Sequence, residues 1–301
     1  VQYRPETHGW KNYMTLIAII LALIVGRALG DGGKLLSMRW FEVLINRLEK
    51  QLSSYRLWDS PGGILISVGI PLVVLALVLH LLDEFFFLLP FLVSVLVLYL
   101  CLGFELFDHN IDNYRQALEQ GNTEAAQDAA ADILAADISR RGSDDFPGVL
   151  GSLFRQSNDR IFAVLFWFLV LGPLGALLYR LVYEVLQLRH DIHGAFTDSA
   201  RQLYYILNWP CLRLTILAYA LVGSLIHTID VWRDQDDLSL AQDDNLLPAA
   251  GMAAIACGDM DDGEDTESRL YCIEHADGLV KRSLLLWLTL IALSTISGWL
   301  T

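Results

Sequence analysis

Residues 165–181 read LFWFLVLGPLGALLYRL, an apolar run of membrane-spanning length with Gly172-Pro173-Leu174-Gly175 at its middle. An α-helix of about 20 residues crosses a hydrocarbon core. The run therefore reads as a span that carries its own helix breakers. Pro173 has no N–H and frees a backbone carbonyl, which in lipid only protein or trapped water satisfies. Gly172 and Ala176 form a small-x-x-x-small pair that lets helices approach closely. Both features predict a helix packed inside a bundle, with residues 172–176 at a helix–helix contact.

Outward from this run the chain repeats its apolar character. Of 301 residues 54% are hydrophobic and 19% charged, against about a quarter charged in a soluble domain. The apolar residues are clustered. Segments 64–82, 85–104 and 161–181 are long enough to span, and 283–300 is slightly shorter but has no internal charge. The runs 14–26 and 214–226 are shorter still. The stretch 27–59 carries six Lys/Arg and 106–160 carries five, which places both flanks in the cytoplasm. Lys281-Arg282 do the same for the last loop, so parity promotes both short runs to spans. A signal peptide over the first run is opposed by Arg27, which follows its apolar core.

The predicted fold class is all-α: a polytopic helical membrane protein of about six membrane segments, two of them short, with a cytoplasmic helical hairpin and interfacial amphipathic helices. Residues 1–13 read as an N-terminal extension. Residues 14–104 hold the first three membrane segments, with an interfacial helix at 35–52 that aligns Leu36, Trp40, Leu44, Leu48 and Leu52 on one stripe. Residues 105–160 form a cytoplasmic hairpin broken at Gly121-Asn122, where Asn122 or Thr123 caps the second helix and Arg140-Arg141 close it. Residues 161–226 hold the central membrane segments, 227–282 an acidic cytoplasmic loop or subdomain, and 283–301 the C-terminal membrane helix.

The net charge of −14 offers nucleic acid no basic surface. The Gly30–Lys34 stretch lacks the spacing of a phosphate loop. Glu105, Asp108, His109 and Asp112 share a helical face able to hold a divalent cation, although a solvated helix start looks the same. His190, Asp191 and His193 put two imidazoles three apart without an identifiable third ligand. The acidic run 259–267 fails the calcium-loop template. Cys257 and Cys272, in a loop placed inside, are expected to be reduced. No charged residue falls deep in a predicted span, and Arg180 sits at a span end where it can snorkel.

The stretches AVLFWF at 163–168 and LGPLGALLYR at 171–180, with LNWP at 207–210, RLT at 213–215, AAG at 249–251 and VKRSL at 280–284, resemble the AmpE family of bacterial inner-membrane proteins. The resemblance covers residues 14–301. Its motif and packing residues here are Phe166, Trp167, Gly172, Pro173, Gly175, Ala176, Tyr179, Arg180, Asn208, Trp209 and Arg213. AmpE proteins are in turn similar to the CobD/CbiB membrane proteins, enzymes that join an aminoalcohol phosphate to a corrinoid carboxylate. Those carry a stretch rich in Glu, Asn, Thr, Ser, Asp and Gly just before this span. Here 155–160 reads RQSNDR, keeping Asp159 and polar neighbours.

The resemblance implies a multi-pass protein of the bacterial inner membrane, a non-catalytic modulator of cell-wall recycling and β-lactamase induction. It would work among membrane lipids with a cytoplasmic amidase of the AmpD type or another membrane protein, without cofactor, metal or nucleic acid. The alternative it implies is a CobD/CbiB-like membrane enzyme or corrinoid-binding relative. A small-molecule transporter stands third.

Overall fold

The structure is a computed structural model that describes residues 8–29, 38–52, 61–85, 88–102, 104–137, 146–189, 194–233, 243–258 and 265–297. Every regular element among them is helical. In chain order they are α1 (His8–Leu29), α2 (Arg39–Leu52), α3 (Pro61–Phe85), α4 (Leu88–Cys101), α5 (Phe104–Glu119), α6 (Thr123–Ala135) and α7 (Phe146–Ser157). A π-helical turn, Asn158–Phe162, joins α7 to α8 (Ala163–Leu188), followed by α9 (Ala195–Val222), α10 (Leu225–Arg233), α11 (Asp243–Ala254) and α12 (Thr266–Ile296).

By length and composition, Pro61–Glu84, Phe146–Leu188, Ala195–Val222 and Thr266–Thr295 suit a membrane, with Met14–Gly26 and Leu88–Cys101 as shorter apolar helices. Large apolar side chains of α3, α9 and α12, such as Leu65, Val73, Leu217 and Leu285, point outward. In a bundle surrounded by lipid this costs nothing. The chain is a polytopic α-helical membrane protein. Two predicted segments change shape. Residues 214–226 are no separate short span: 214–222 close the 28-residue α9, and Leu225 already begins α10. Residues 283–296 are likewise the second half of the 31-residue α12.

The amphipathic stretch forms α2, but its buried stripe is Phe41, Leu44, Ile45 and Leu48, while Trp40 is exposed. The true stripe follows 3.6-residue spacing, so a pure i, i+4 reading drifts off it. The α5–α6 hairpin turns where expected. Gly121 takes φ 64°, and Asn122 Oδ1 accepts from the Ala125 N–H as the N-cap of α6. Arg140-Arg141 lie outside the described residues.

The largest departure concerns the opening run. In one straight helix, residues 159 and 179 would stand about 30 Å apart. Instead the Tyr179 hydroxyl donates to Asp159 Oδ1 at 3.0 Å. The chain doubles back at Gly172, whose φ of 65° and ψ of −153° lie in a region that side-chain-bearing residues avoid. The second arm returns so close that a Cβ on Gly175 would meet the Trp167 carbonyl oxygen at 2.3 Å. The predicted span is thus a hairpin. Its arms rest on the end of α6: the Ile133 carbonyl accepts from Ser152 and Gln156, and the Ala136 carbonyl from Tyr183 and Gln187.

At the end of α8, Arg189 makes a forked pair with Glu49 of α2, at 2.9 and 2.6 Å. Those hydrogen bonds hold the Glu49 carboxyl below its ordinary pKa despite partial desolvation.

Cys257 and Cys272 are joined by a disulfide, which corrects the expectation of reduced thiols. The bond ties the segment after α11 to the first half of α12. It also stands against the inward placement that Lys281-Arg282 indicate for this loop, because disulfides persist in oxidising compartments. Cys101 and Cys211 are free and buried.

Candidate active site

The π-helical turn carries consecutive polar residues into the middle of the bundle. A π-turn widens the helix by one residue, closing here from the Ala163 N–H to the Asn158 carbonyl. Asn158, Asp159 and Arg160 are all buried at this turn. Buried polar groups persist only with partners, and most of these come from the returning arm of α8 and from α9.

Asp159 Oδ1 accepts from the Tyr204 hydroxyl at 2.8 Å, from Tyr179 at 3.0 Å and from Asn158 Nδ2 at 3.1 Å. Asn158 also donates to Asn208 Oδ1 at 2.7 Å and accepts from the Thr215 hydroxyl at 2.9 Å. Asn208 Nδ2 donates to Tyr204 at 3.1 Å, closing the network. Below it, Ser157 and Tyr219 share a hydrogen bond of 2.6 Å. Among the described residues all the hydrogen bonds to Asp159 fall on Oδ1, and Oδ2 remains an open acceptor. The carboxylate is held rigidly by one oxygen and presents the other.

Charged groups surround this centre. Arg155 Nε binds Asp137 at 2.6 Å, and Arg180 Nη2 binds Glu184 at 2.5 Å while its guanidinium lies over Tyr183. Arg180 does not snorkel, and Asp159 and Arg160 are buried within the 146–188 segment. The expectation that no charge lies deep in an apolar segment is therefore overturned. It failed because 155–160 precede the apolar run in sequence, while the hairpin and α9 enclose them in space.

The residues singled out from the sequence are distributed unevenly. Tyr179 and Asn208 stand in the network. Trp167 donates to the Leu207 carbonyl and packs edge-on against Phe166, fixing the first arm on α9. Gly172, Pro173, Gly175 and Ala176 form the reversal. Arg213 lies over the ring of Trp209 at 4.1 Å, away from the network. Gly251 of the AAG stretch admits the Phe154 ring, which a Cβ would meet at 2.6 Å. On α5, Asp112 pairs with Arg115 and His109 contacts Asn113. No group of metal-ligating side chains assembles among the described residues. The side chain of Glu105, and His190, Asp191, His193 and Gly30–Lys34, lie outside them.

Asn158, Asp159, Arg160, Tyr204 and Thr215 were not chosen as site residues. One signal pointed to them: Tyr204, Asn208, Cys211 and Thr215 recur at spacings of four, three and four, a polar stripe on one face of a helix.

The fold and this network define a class, a polytopic helical membrane protein with a carboxylate-centred polar site buried behind a doubled-back hairpin. Residues 19–258 match the CobD/Cbib protein family. The chain belongs to that family. It is 28% identical over 304 residues to the cobalamin biosynthesis protein CobD of Stutzerimonas stutzeri, covering 94% of this chain and 98% of that one. It is 31% identical over 175 residues to the CobD of Chromobacterium violaceum, covering 56% and 55%. A probable CobD of Pyrococcus abyssi is 26% identical over 218 residues, covering 69% and 72%. No solved structure matches.

These findings correct the expected function. The relatives are named for cobalamin biosynthesis, not for β-lactamase induction, so the reading as an AmpE-type signalling modulator falls. The expectation of a non-enzyme falls with it, because the family's members are biosynthetic. It had rested on the departure of the 155–160 stretch from the Glu-Asn motif and on the lack of a complete catalytic constellation in the sequence, whereas the folded chain gathers Asp159, Asn158, Tyr179, Tyr204 and Asn208 from separate segments.

Proposed function

We propose that this protein is a membrane enzyme of cobalamin biosynthesis, and that the Asp159 network is where it joins an amine to a carboxylate. One observation carries the reading. In a chain of the CobD/Cbib family, the polar stretch just before the Gly-Pro-Leu-Gly hairpin folds into a buried site with an open carboxylate oxygen. An amine attacks a carboxyl carbon only as the free base, so an ammonium proton must first be accepted. Asp159 Oδ2 is placed to hold the ammonium and to take that proton. Tyr179, Tyr204 and Asn158 fix the carboxylate through Oδ1, so that Oδ2 has one orientation. The carboxyl oxygen departs only from an activated group, which requires an activating co-substrate.

The test is complementation of a bacterium whose own CobD has been deleted, scored by cobalamin formed from supplied precursors. Wild-type protein should restore synthesis. Asp159→Asn keeps Oδ1 and its donors but loses the basic oxygen. It should accumulate in the membrane and lower synthesis by about a hundredfold, the scale of a lost general base. Equal synthesis with Asp159→Asn would remove Asp159 from the chemistry, and failure of the wild-type chain to complement would remove the function.

A further inference from the structure

The apolar stripe of α2, Phe41, Leu44, Ile45 and Leu48, is turned onto the protein, and Glu49 at its edge is held by Arg189 of α8. The amphipathic pattern of this helix is therefore spent inside the fold and not against lipid. The opposite side is a second face with a composition of its own. Successive residues of an α-helix turn by about 100°, so Arg39, Trp40, Val43, Arg47 and Lys50 fall within about 100° of arc. All five are exposed. Both glutamates of α2, Glu42 and Glu49, fall outside that arc. Arg39, Arg47 and Lys50 enter no ion pair among the described residues.

The chain as a whole carries −14, so three cations grouped without a carboxylate run against its trend. Such a face repels a copy of itself and attracts an anion. Its place in the fold says which anion is at hand. The helix packs on α3, whose residues 61–84 suit a membrane and whose outer side chains, Leu65 and Val73 among them, are apolar and exposed. It is also tied to the last residue of the hairpin's second arm. At the end of a span, indole rings favour the headgroup layer. Lysine and arginine stems lie along apolar surface while their charged heads reach outward, and anionic lipids attract basic residues placed just outside the hydrocarbon.

We propose that the face of α2 formed by Arg39, Trp40, Val43, Arg47 and Lys50 docks on anionic phospholipid headgroups. Trp40 and Val43 seat in the headgroup layer, and the three cations take the phosphates. Through the pair between Glu49 and Arg189, the lipid surface is then coupled to α8, the helix that carries Tyr179 to Asp159. The surface is independent of the reaction proposed for that carboxylate.

The full-length protein in maltoside micelles is unfolded thermally with phosphatidylglycerol at rising mole fraction, and with phosphatidylcholine as the control without net charge. A ligand that binds the native state raises the midpoint. Phosphatidylglycerol should raise it further than phosphatidylcholine, and the difference should shrink at high salt, where exposed charges are screened. The double variant Arg47→Gln, Lys50→Gln should need about fivefold more phosphatidylglycerol or greater for the same shift, the factor that one basic residue contributes at an anionic surface. Arg39→Gln should act in the same direction and stands in if the double variant does not fold. Equal responses of the wild-type protein to the two lipids overturn the proposal. So does a folded double variant that responds as the wild type does, because the anionic lipid then binds elsewhere. Inorganic phosphate that reproduces the whole shift would make the occupant a soluble anion and not a headgroup. Light scattering covers the remaining occupant: a lipid-free dimer that the double variant turns into a monomer would assign the face to self-association, and the lipid surface falls.

Discussion

At the scale of single residues, the structure separates polar groups that are fully paired from those that keep an open valence. Glu49 belongs to the first kind. Its carboxyl is depressed by the hydrogen bonds from Arg189, so the pair stabilises the folded state above the ordinary carboxylate pKa of 4.5. That contribution is lost as pH falls through the still lower folded value. We expect Glu49→Gln to lower the unfolding midpoint at pH 7, by a modest amount because the side chain is 39% exposed. The difference from wild type should disappear in strongly acidic buffer. A gap between the two proteins that stays constant down to pH 3 would show that the pair is not coupled to titration. Asp159 belongs to the second kind, with one oxygen saturated and the other open.

At the scale of elements, the reversal at Gly172 is the feature on which the site depends. Gly172→Ala places a Cβ on a backbone conformation suited to glycine and should cost about 1–3 kcal/mol. Gly175→Leu drives a side chain into the Trp167 carbonyl and should cost a similar amount or more by overpacking. Thermal unfolding in detergent checks both. Unchanged stability in Gly175→Leu would mean that the arms do not touch. The sequence made the helices legible, because apolar runs and the Gly121-Asn122 break are local signals. The reversal was not legible. A glycine and a proline inside an apolar run serve equally in a kinked span and in a hairpin, and only the contact between Tyr179 and Asp159 distinguishes them. The length of α9 was hidden for a related reason. Tyr204, Asn208 and Arg213 interrupt the hydropathy of that helix, so the apolar reading began only at residue 214. In α2 the stripe was right at Leu44 and Leu48, and counting in strict fours put Trp40 where Phe41 is buried.

At the scale of the whole molecule, the disulfide and the lysine–arginine distribution make opposite statements about sidedness. Arg269, in the disulfide-bearing half of α12, lies over Phe146 at the start of α7. The α7 helix in turn rests on α6 through Ser152 and Gln156. The disulfide and the α5–α6 hairpin therefore share one polar layer, and one measurement fixes the side of both. A membrane-impermeant thiol reagent applied to intact cells should label Cys257 and Cys272 only after reductant. Labelling without reductant would show free thiols and rule out the bond. Replacing both cysteines with serine should lower stability by about 3 kcal/mol, the chain-entropy scale of a loop of this length.

A chain that enters the bilayer and returns makes no crossing, so residues 158–188 add nothing to the parity that sets where later segments emerge. Reporter fusions truncated after Asp137 and after Gly194 should therefore report the same compartment. A straight span would place them in opposite ones. The same return puts both ends of the hairpin, with the contact between Asp159 and Tyr179 that joins them, on one side of the membrane.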